Sequence, residues 1–302
     1  MRRDSAMNRQ NAYLTPGRHK SPLGSMRRSA KLFDVVSAIV AILVVCFAIV
    51  PIAWTLLTSF KIESDIVSPS VKYIPTTLTW DNYIRIWEQS DFSRMLRNSA
   101  IVTVMTVGMS LSIGIAAGYS ISRYKFRGRS SLMVFYLVIR MFPFTLLLIP
   151  LFILLRKLSL FDTHFGLALT YTTFLLPLCV WMLKGFFDGI PPDLEEASRV
   201  DGSTRMGALF RIVLPLARPG IAATTVFIAI GAWNEYLWAL LLTTANGART
   251  WPVGLQLMVG EFQMPWGLLT ASGIISIIPI LIGFSIVQRA LVSGLLTGGV
   301  KG

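Results

Sequence analysis

The groups in this chain whose types and spacing could do molecular work are carboxylates, and the work is docking, not bond-making. Glu195-Glu196-Ala197-Ser198-Arg199-Val200-Asp201-Gly202 is followed in the same polar segment by Ile212-Val213-Leu214-Pro215. Pro191-Pro192 ends any preceding helix. Asp193 then reads as an N-cap, with Glu196 completing a capping box, and Glu195 and Glu196 complement the positive end of the helix dipole. Gly202 closes that short helix. Ser203 or Thr204 opens a second one carrying Met206, Leu209, Phe210, Ile212 and Val213, and Pro215 and Pro219 turn the chain away. Two short helices joined near Gly202 make a surface that another protein can hold; an ordinary solvated loop is the alternative.

Bond-making chemistry finds no comparable set. His19 and His164 fall in separate polar segments, and Cys46 and Cys179 lie inside apolar runs, where cysteine reads as a buried small hydrophobe. No G-x-x-x-x-G-K-[ST] phosphate loop occurs, so the chain does not bind and hydrolyse ATP by that route. H-E-x-x-H and G-x-S-x-G are absent too. An enzyme is therefore not expected, and neither a metal nor a bound cofactor is expected in this chain.

The elements that must position the acidic segment are membrane helices. The 302 residues are 54% hydrophobic and only 14% charged, with a mean hydropathy of +0.63. That balance excludes an ordinary soluble domain. The net charge of +13 would suggest nucleic acid in a soluble protein, but here the basic residues gather near the ends of apolar runs, which assigns them to the membrane surface. Six runs approach the ~20 residues that cross a ~30 Å hydrocarbon core: 33–58, 98–122, 131–155, 167–187, 219–242 and 268–291. The expectation is an all-α polytopic protein. It has a basic N-terminal tail over 1–31, a six-helix domain over 32–292 with the acidic loop at 188–218, and a tail over 293–302. The first apolar run is too long for a signal peptide and reads as an uncleaved helix. Gly108, Ser110, Ser112, Gly114, Ala116, Ala117 and Gly118 in the second run would let another helix come close. With the N-terminus inside, nineteen Lys and Arg fall on the inside, counting Lys184 and Arg289 at the inner ends of their spans, and eight in outside segments, so both termini and the acidic loop are expected in the cytoplasm.

Polar residues inside the apolar runs are few. Arg140, Asn234 and Glu235 are the main ones. A charge at mid-membrane costs roughly 2.5–3.5 kcal/mol on insertion scales, so each must face protein or a watery path. A structural Arg140–Glu235 pair, helix-end positions near the interface and direct substrate contact all stay open. On the outside, Trp80, Tyr83 and Trp87 are spaced for one face of a short helix, as interfacial anchors or as a partner surface. The outer segment 243–267 holds an Asn246-Gly247 turn and the aromatics Trp251, Phe262 and Trp266, which on pattern alone are interfacial.

The acidic segment resembles that of the membrane subunits of binding-protein-dependent ABC importers. Their cytoplasmic loop reads E-A-A, three residues, G, nine residues, I, one residue, L-P. Here Glu196-Ala197-Ser198, Gly202, Ile212, Leu214 and Pro215 keep both gaps, with Ser198 replacing the second Ala. Arg140-Met141-Phe142-Pro143, Trp233-Asn234-Glu235-Tyr236 and the ending Gly294-Leu295-Leu296-Thr297-Gly298-Gly299-Val300-Lys301-Gly302 are similar to carbohydrate importers of the maltose type, the ending to their smaller permease. The resemblance implies the type I importer permease fold and a place in a bacterial inner membrane. It implies a second permease, two ABC ATPase subunits that hold ATP and Mg, a periplasmic or extracellular solute-binding protein and a carbohydrate substrate, with lipid and no nucleic acid as surroundings. It makes Glu195, Glu196, Ala197, Ser198, Asp201, Gly202, Ile212, Leu214 and Pro215 the ATPase-coupling residues, with Glu196 facing a basic residue of the ATPase. Thr297, Gly298, Gly299 and Lys301 would reach between the ATPases, and Asn246, Gly247 and Trp251 would face the binding protein. The competing reading is a self-sufficient secondary transporter or channel, which needs ionisable sites at mid-membrane; few are available.

Overall fold

A computed structural model describes residues 23–89, 91–244, 247–260 and 264–298, and every regular element among them is a helix. The chain divides at Trp54 into two units. The first consists of most of α1 (Leu23–Ser59), which starts ahead of the apolar run, so residues 23–31, expected in the tail, are helical. The apolar side chains of α1 are exposed from Phe33 to Val50. Cys46 is exposed with them, which reverses the expectation of a buried thiol. A helix apolar on all sides is suited to lipid or a partner protein as its surroundings.

The second unit opens with α2 (Glu63–Ile66) and α3 (Asp81–Gln89). On α3, Tyr83 packs on Phe60 with ring centroids 5.2 Å apart and shares a 2.7 Å hydrogen bond with Ser59. The framework of the unit is α4 (Phe92–Arg123) against α7 (His164–Asp188), the most extensive helix pair among the described residues. Val102, Thr106, Ser110, Gly114 and Gly118 of α4 recur at every fourth position and are all buried. This repeat is one helix face, and its small members bring the backbones together. A Cβ on Gly114 would stand 2.5 Å from Cys179 Sγ, and one on Gly118 3.1 Å from the Lys184 nitrogen. Gly108, in the same small-residue run, meets open space.

Two of the expected spans are broken. The third becomes α5 (Arg129–Met141), a 3-10 turn over Phe144–Leu147, and α6 (Leu148–Lys157). Pro143 disfavours helix at Phe142, whose ψ is 132°. The acidic segment supplies α8 (Asp193–Val200), α9 (Arg205–Ala208), a π turn over Leu209–Val213 and α10 (Leu214–Leu216). The fifth span follows as α11 (Arg218–Trp233) and α12 (Leu237–Leu242), after which come α13 (Trp251–Leu257) and α14 (Trp266–Gly298). From the acidic segment into α11 the axis bends by 75°. The Glu63 carboxylate accepts the Trp266 and Gly267 N–H groups at 3.1 and 3.2 Å and so caps α14 from the other end of the unit.

Between α2 and α3, Asp65 ties the connecting segment down. It accepts Lys72 Nζ at 2.5 Å, the Thr76 N–H at 3.0 Å and the Thr76 hydroxyl. The Lys72 ammonium, with Thr76, holds its pKa down at about 2.

Two outcomes follow. Gly114→Leu overfills the α4–α7 seam and is expected to cost about 1–3 kcal/mol, read as a lower melting midpoint of the detergent-solubilised protein. The folded pKa of Asp65 lies below the ordinary 3.8, so its contribution is complete above that value and is lost as pH falls toward about 2. Asp65→Asn should therefore melt below the parent at pH 7, and the difference should close as the pH approaches 2.

Candidate functional site

The acidic segment folds into a two-faced structure because its first helix is short and its neighbouring carboxylates diverge. Asp193 is not the N-cap expected from the sequence. Pro192 takes that position at φ −59° and ψ −29°, and no side chain caps the helix. Proline presets a helical φ and has no N–H to leave unpaired at a helix start, so it displaces Asp193 into the first turn. Adjacent helix residues are rotated by about 100°. Glu195 consequently turns inward and is 8% exposed, whereas Glu196, Ala197 and Arg199 are exposed and Ser198 is half-buried.

Glu195 meets the last turn of α4. Tyr119 donates its hydroxyl to Glu195 Oε2 at 2.8 Å, and Arg123 Nε donates to Oε1. Arg123 Nη2 also donates to the Ile190 carbonyl at 3.0 Å, in the turn that leads into α8. Ser122, beside it, donates to Asp188 Oδ1 at 2.6 Å, and Lys184 pairs with the same carboxylate. A cation at the end of α4 is favoured by the helix dipole. The Arg123 and Glu195 side chains are only 12% and 10% exposed, and removing one partner of such a pair costs about 3–5 kcal/mol.

Beyond α8 the chain reverses at Gly202, whose φ of +90° suits glycine alone among the common residues. Asp201 and Gly202 are exposed. Thr204 begins α9 as expected, its hydroxyl accepting the Gly207 N–H at 3.0 Å. Arg205 lies over the Tyr124 ring, 5.6 Å from its centroid. Pro215 has no N–H for the Arg211 carbonyl, and the ladder before it widens into the π turn. Leu209, Val213 and Ala217 face inward and pack with Tyr119, Leu183, Phe187 and Ile228. Ile212 and Pro215 are half-buried, and Leu214 packs against the same cluster. The outer face is apolar in part: Val200 is 88% exposed, Phe210 61% and Met206 59%.

The intramembrane polar residues resolve differently. Asn234 and Glu235 lie at the break between α11 and α12. Asn234 is exposed and donates from Nδ2 to Ile230 O at 2.9 Å. Glu235 accepts the Trp238 and Ala239 N–H groups at 3.0 and 3.2 Å, capping α12. The side chain of Arg140 lies outside the described residues. Nearby, α4, α11 and α14 enclose a groove of about 340 Å3 lined mainly by apolar side chains such as Val104, Ile230 and Phe284.

At the opposite end from the acidic segment, the turn at Gly247 is fastened from below. Asp162, at φ 59°, accepts the Thr244 and Ala248 N–H groups at 2.8 and 3.1 Å and also the Thr244 hydroxyl. Asn98 Nδ2 donates to Gly247 O and Arg249 O at 3.0 and 2.9 Å. Trp251 does not face outward. It is buried, with its N–H on Ser99 Oγ at 2.9 Å and its indole Nε1 on Trp233 O at 3.2 Å. Asn246, Gly299 and Lys301 lie outside the described residues; Thr297 and Gly298 are described only as the last turn of α14. Sequence reasoning missed Tyr119, Arg123, Asp162 and Asn98. Arg123 entered it only as a positive charge at a helix end.

The sequence profile of the binding-protein-dependent transport system inner membrane component matches residues 108–296. The trehalose transport system permease protein of Mycobacterium tuberculosis is 39% identical over 267 residues, covering 88% of this chain and 97% of its own. The sulfoquinovosyl glycerol transport system permease protein of Agrobacterium fabrum is 36% identical over 252 residues, 83% of this chain and 88% of its own. Among solved structures, a bacterial ABC transporter involved in the import of the acidic polysaccharide alginate superposes with a TM-score of 0.72 at 25% identity. That match covers 87% of this chain and 97% of the other.

Asp162→Ala strands the amides of Thr244 and Ala248, each an unmet donor costing about 1–3 kcal/mol. Their hydrogen exchange should accelerate tenfold or more, while protection in the α4–α7 seam is unchanged.

Proposed function

The chain belongs to the family of binding-protein-dependent transport system inner membrane components, and from that membership we propose that it is one permease half of an ATP-driven carbohydrate importer, coupled to separate ATPase subunits through residues 188–218. A second, related permease forms the other half of the pathway. Two ABC ATPases bind ATP and Mg, and a periplasmic or extracellular solute-binding protein delivers the substrate. The Lys and Arg distribution supports a cytoplasmic position for both termini and the acidic loop.

The observation that carries the coupling assignment is the outer face of α8 and α9. Glu196 is exposed, and so are Val200 one turn further along α8, Met206 on α9 and Phe210 in the π turn that follows. Exposed apolar side chains and a carboxylate with no partner among the described residues suit a protein cleft with a basic residue in it. ATP-driven closure of the ATPases moves this surface as a rigid body, and the helices attached to it switch between inward-facing and outward-facing arrangements. On the same reading, Thr297, Gly298, Gly299 and Lys301 are assigned to contacts with the same ATPase partners. At the opposite end, the turn at Gly247, held by Asp162 and Asn98, is assigned with Asn246 to the surface offered to the binding protein.

The substrate class is an oligosaccharide, glycoside, polyol or sugar-glycerol compound. The names of the trehalose and sulfoquinovosyl glycerol relatives support it. The largely apolar groove between α4, α11 and α14 offers few hydrogen-bonding groups for a sugar, in keeping with the partner permease making most substrate contacts.

Uptake of labelled carbohydrate into proteoliposomes tests the assignment. Uptake should require ATP, the ATPases, the second permease and the binding protein together; gradient-driven uptake by this chain alone would overturn it in favour of a secondary transporter. Glu196→Lys and Gly202→Asp should each abolish uptake while the protein still reaches the membrane.

A further inference from the structure

The two adjacent glutamates of the coupling helix do different jobs. We propose that Glu195 makes no contact with the ATPase and is instead the intramolecular bolt that fixes α8 to α4, with Arg123 and Tyr119 as its receiving side. The inference rests on the coupling role assigned to residues 188–218 and assigns positioning residues within it.

The geometry supports this division on several counts. Glu195 is the buried acid of the pair, and both of its carboxylate oxygens are occupied: Oε1 by Arg123 and Oε2 by Tyr119. Arg123 holds the carbonyl of Ile190 as well, so one guanidinium grips α8 itself and the turn that enters it. Two grips resist both sliding and rotation of a helix only eight residues long. The receiving side is itself braced. Tyr119 packs edge-on against Phe187 of α7, centroids 6.0 Å apart, and Ser122 reaches Asp188 of α7. A displacement of α8 is therefore delivered to the paired helices α4 and α7 together, not absorbed in the loop. Apolar packing at Leu209 and Val213 anchors the second half of the segment, but that contact is non-directional. The Glu195 cluster is the directional one.

The bolt predicts a defect of a particular kind: nucleotide hydrolysis that no longer drives transport. The test uses the full reconstituted complex and reads three quantities, namely co-purification of the ATPase subunits, ATP hydrolysis stimulated by the binding protein, and substrate imported per ATP hydrolysed. Glu195→Ala should retain the ATPase subunits and at least half of the hydrolysis, with import per ATP falling roughly tenfold. Tyr119→Phe removes one hydroxyl and keeps the ring, so it carries the same test in a variant with intact packing; import per ATP should fall about two- to fivefold. Exchanging the charges in Arg123→Glu with Glu195→Arg should recover import per ATP relative to either single change. Unchanged import per ATP in both Glu195→Ala and Tyr119→Phe would overturn the proposal. So would loss of the ATPase subunits from Glu195→Ala, which would make Glu195 a direct contact. Glu196→Lys, run in parallel, separates the two levels: if it assembles and transports normally, the coupling role of the whole segment fails, whatever Glu195 does.

Discussion

A carboxylate placed beside an apolar cluster must find a cation and hydrogen-bond donors or give up its charge. At Glu195 this requirement fixes the end of the molecule that carries the acidic segment. The donors come from α4, seventy-odd residues earlier in the chain, and they set where α8 lies and how it is rotated. Once α8 is fixed, Gly202 reverses the chain and Leu209, Val213 and Ala217 fall onto the cluster around Tyr119 and Phe187. Hydrophobic burial supplies the attraction there, and the buried ion pair supplies the register.

Other carboxylates meet the same requirement in a different way. Glu63 and Glu235 accept the free N–H groups at the starts of α14 and α12, and Asp162 accepts those of the turn near Gly247. In each case a helix start or turn would otherwise leave its backbone donors without a protein partner. Asp65 and Asp188 pair instead with lysines, Lys72 and Lys184. Glu195 differs from both groups: its cation is an arginine as little exposed as itself, and its second donor is a phenol.

The sequence made the broad architecture readable because it is written in periodicity and run length. Four of the six apolar runs form long helices, and the helix–reversal–helix plan of the acidic segment follows from Pro192, Gly202 and Thr204. The buried four-residue repeat on α4 was visible as a run of small residues, but which glycines touch α7 was not, since Gly108 and Gly114 differ only in rotation about the axis. The breaks at Pro143 and Asn234–Tyr236 were harder. Hydropathy averages over a window and does not register a kink, and a proline within a membrane helix often leaves the helix continuous, as Pro177 does in α7. The partners of Glu195 and Asp162 were out of reach for another reason. They are contacts between residues far apart in the chain, and a single sequence carries no signal for which distant pairs meet. Trp251 shows the same limit: an aromatic residue in an outer loop can equally be an anchor at the surface or a buried support, and here it is the support.

The opposed directions of Glu195 and Glu196 have a consequence for how such proteins diversify. Under the proposed coupling role, a single residue step, about 100° of rotation, separates the surface offered to a foreign subunit from the surface owned by the chain itself. On that role, substitutions on the outer side would retune which motor is accepted without disturbing how the stroke is received, and the inner side would drift together with α4 without changing the choice of motor. A single change of helical phase between Pro192 and Glu195 would upset both roles at once: a deletion would turn Glu196 inward and leave Ala197 in its place, and an insertion before Leu194 would turn Glu195 outward and bring Leu194 against α4.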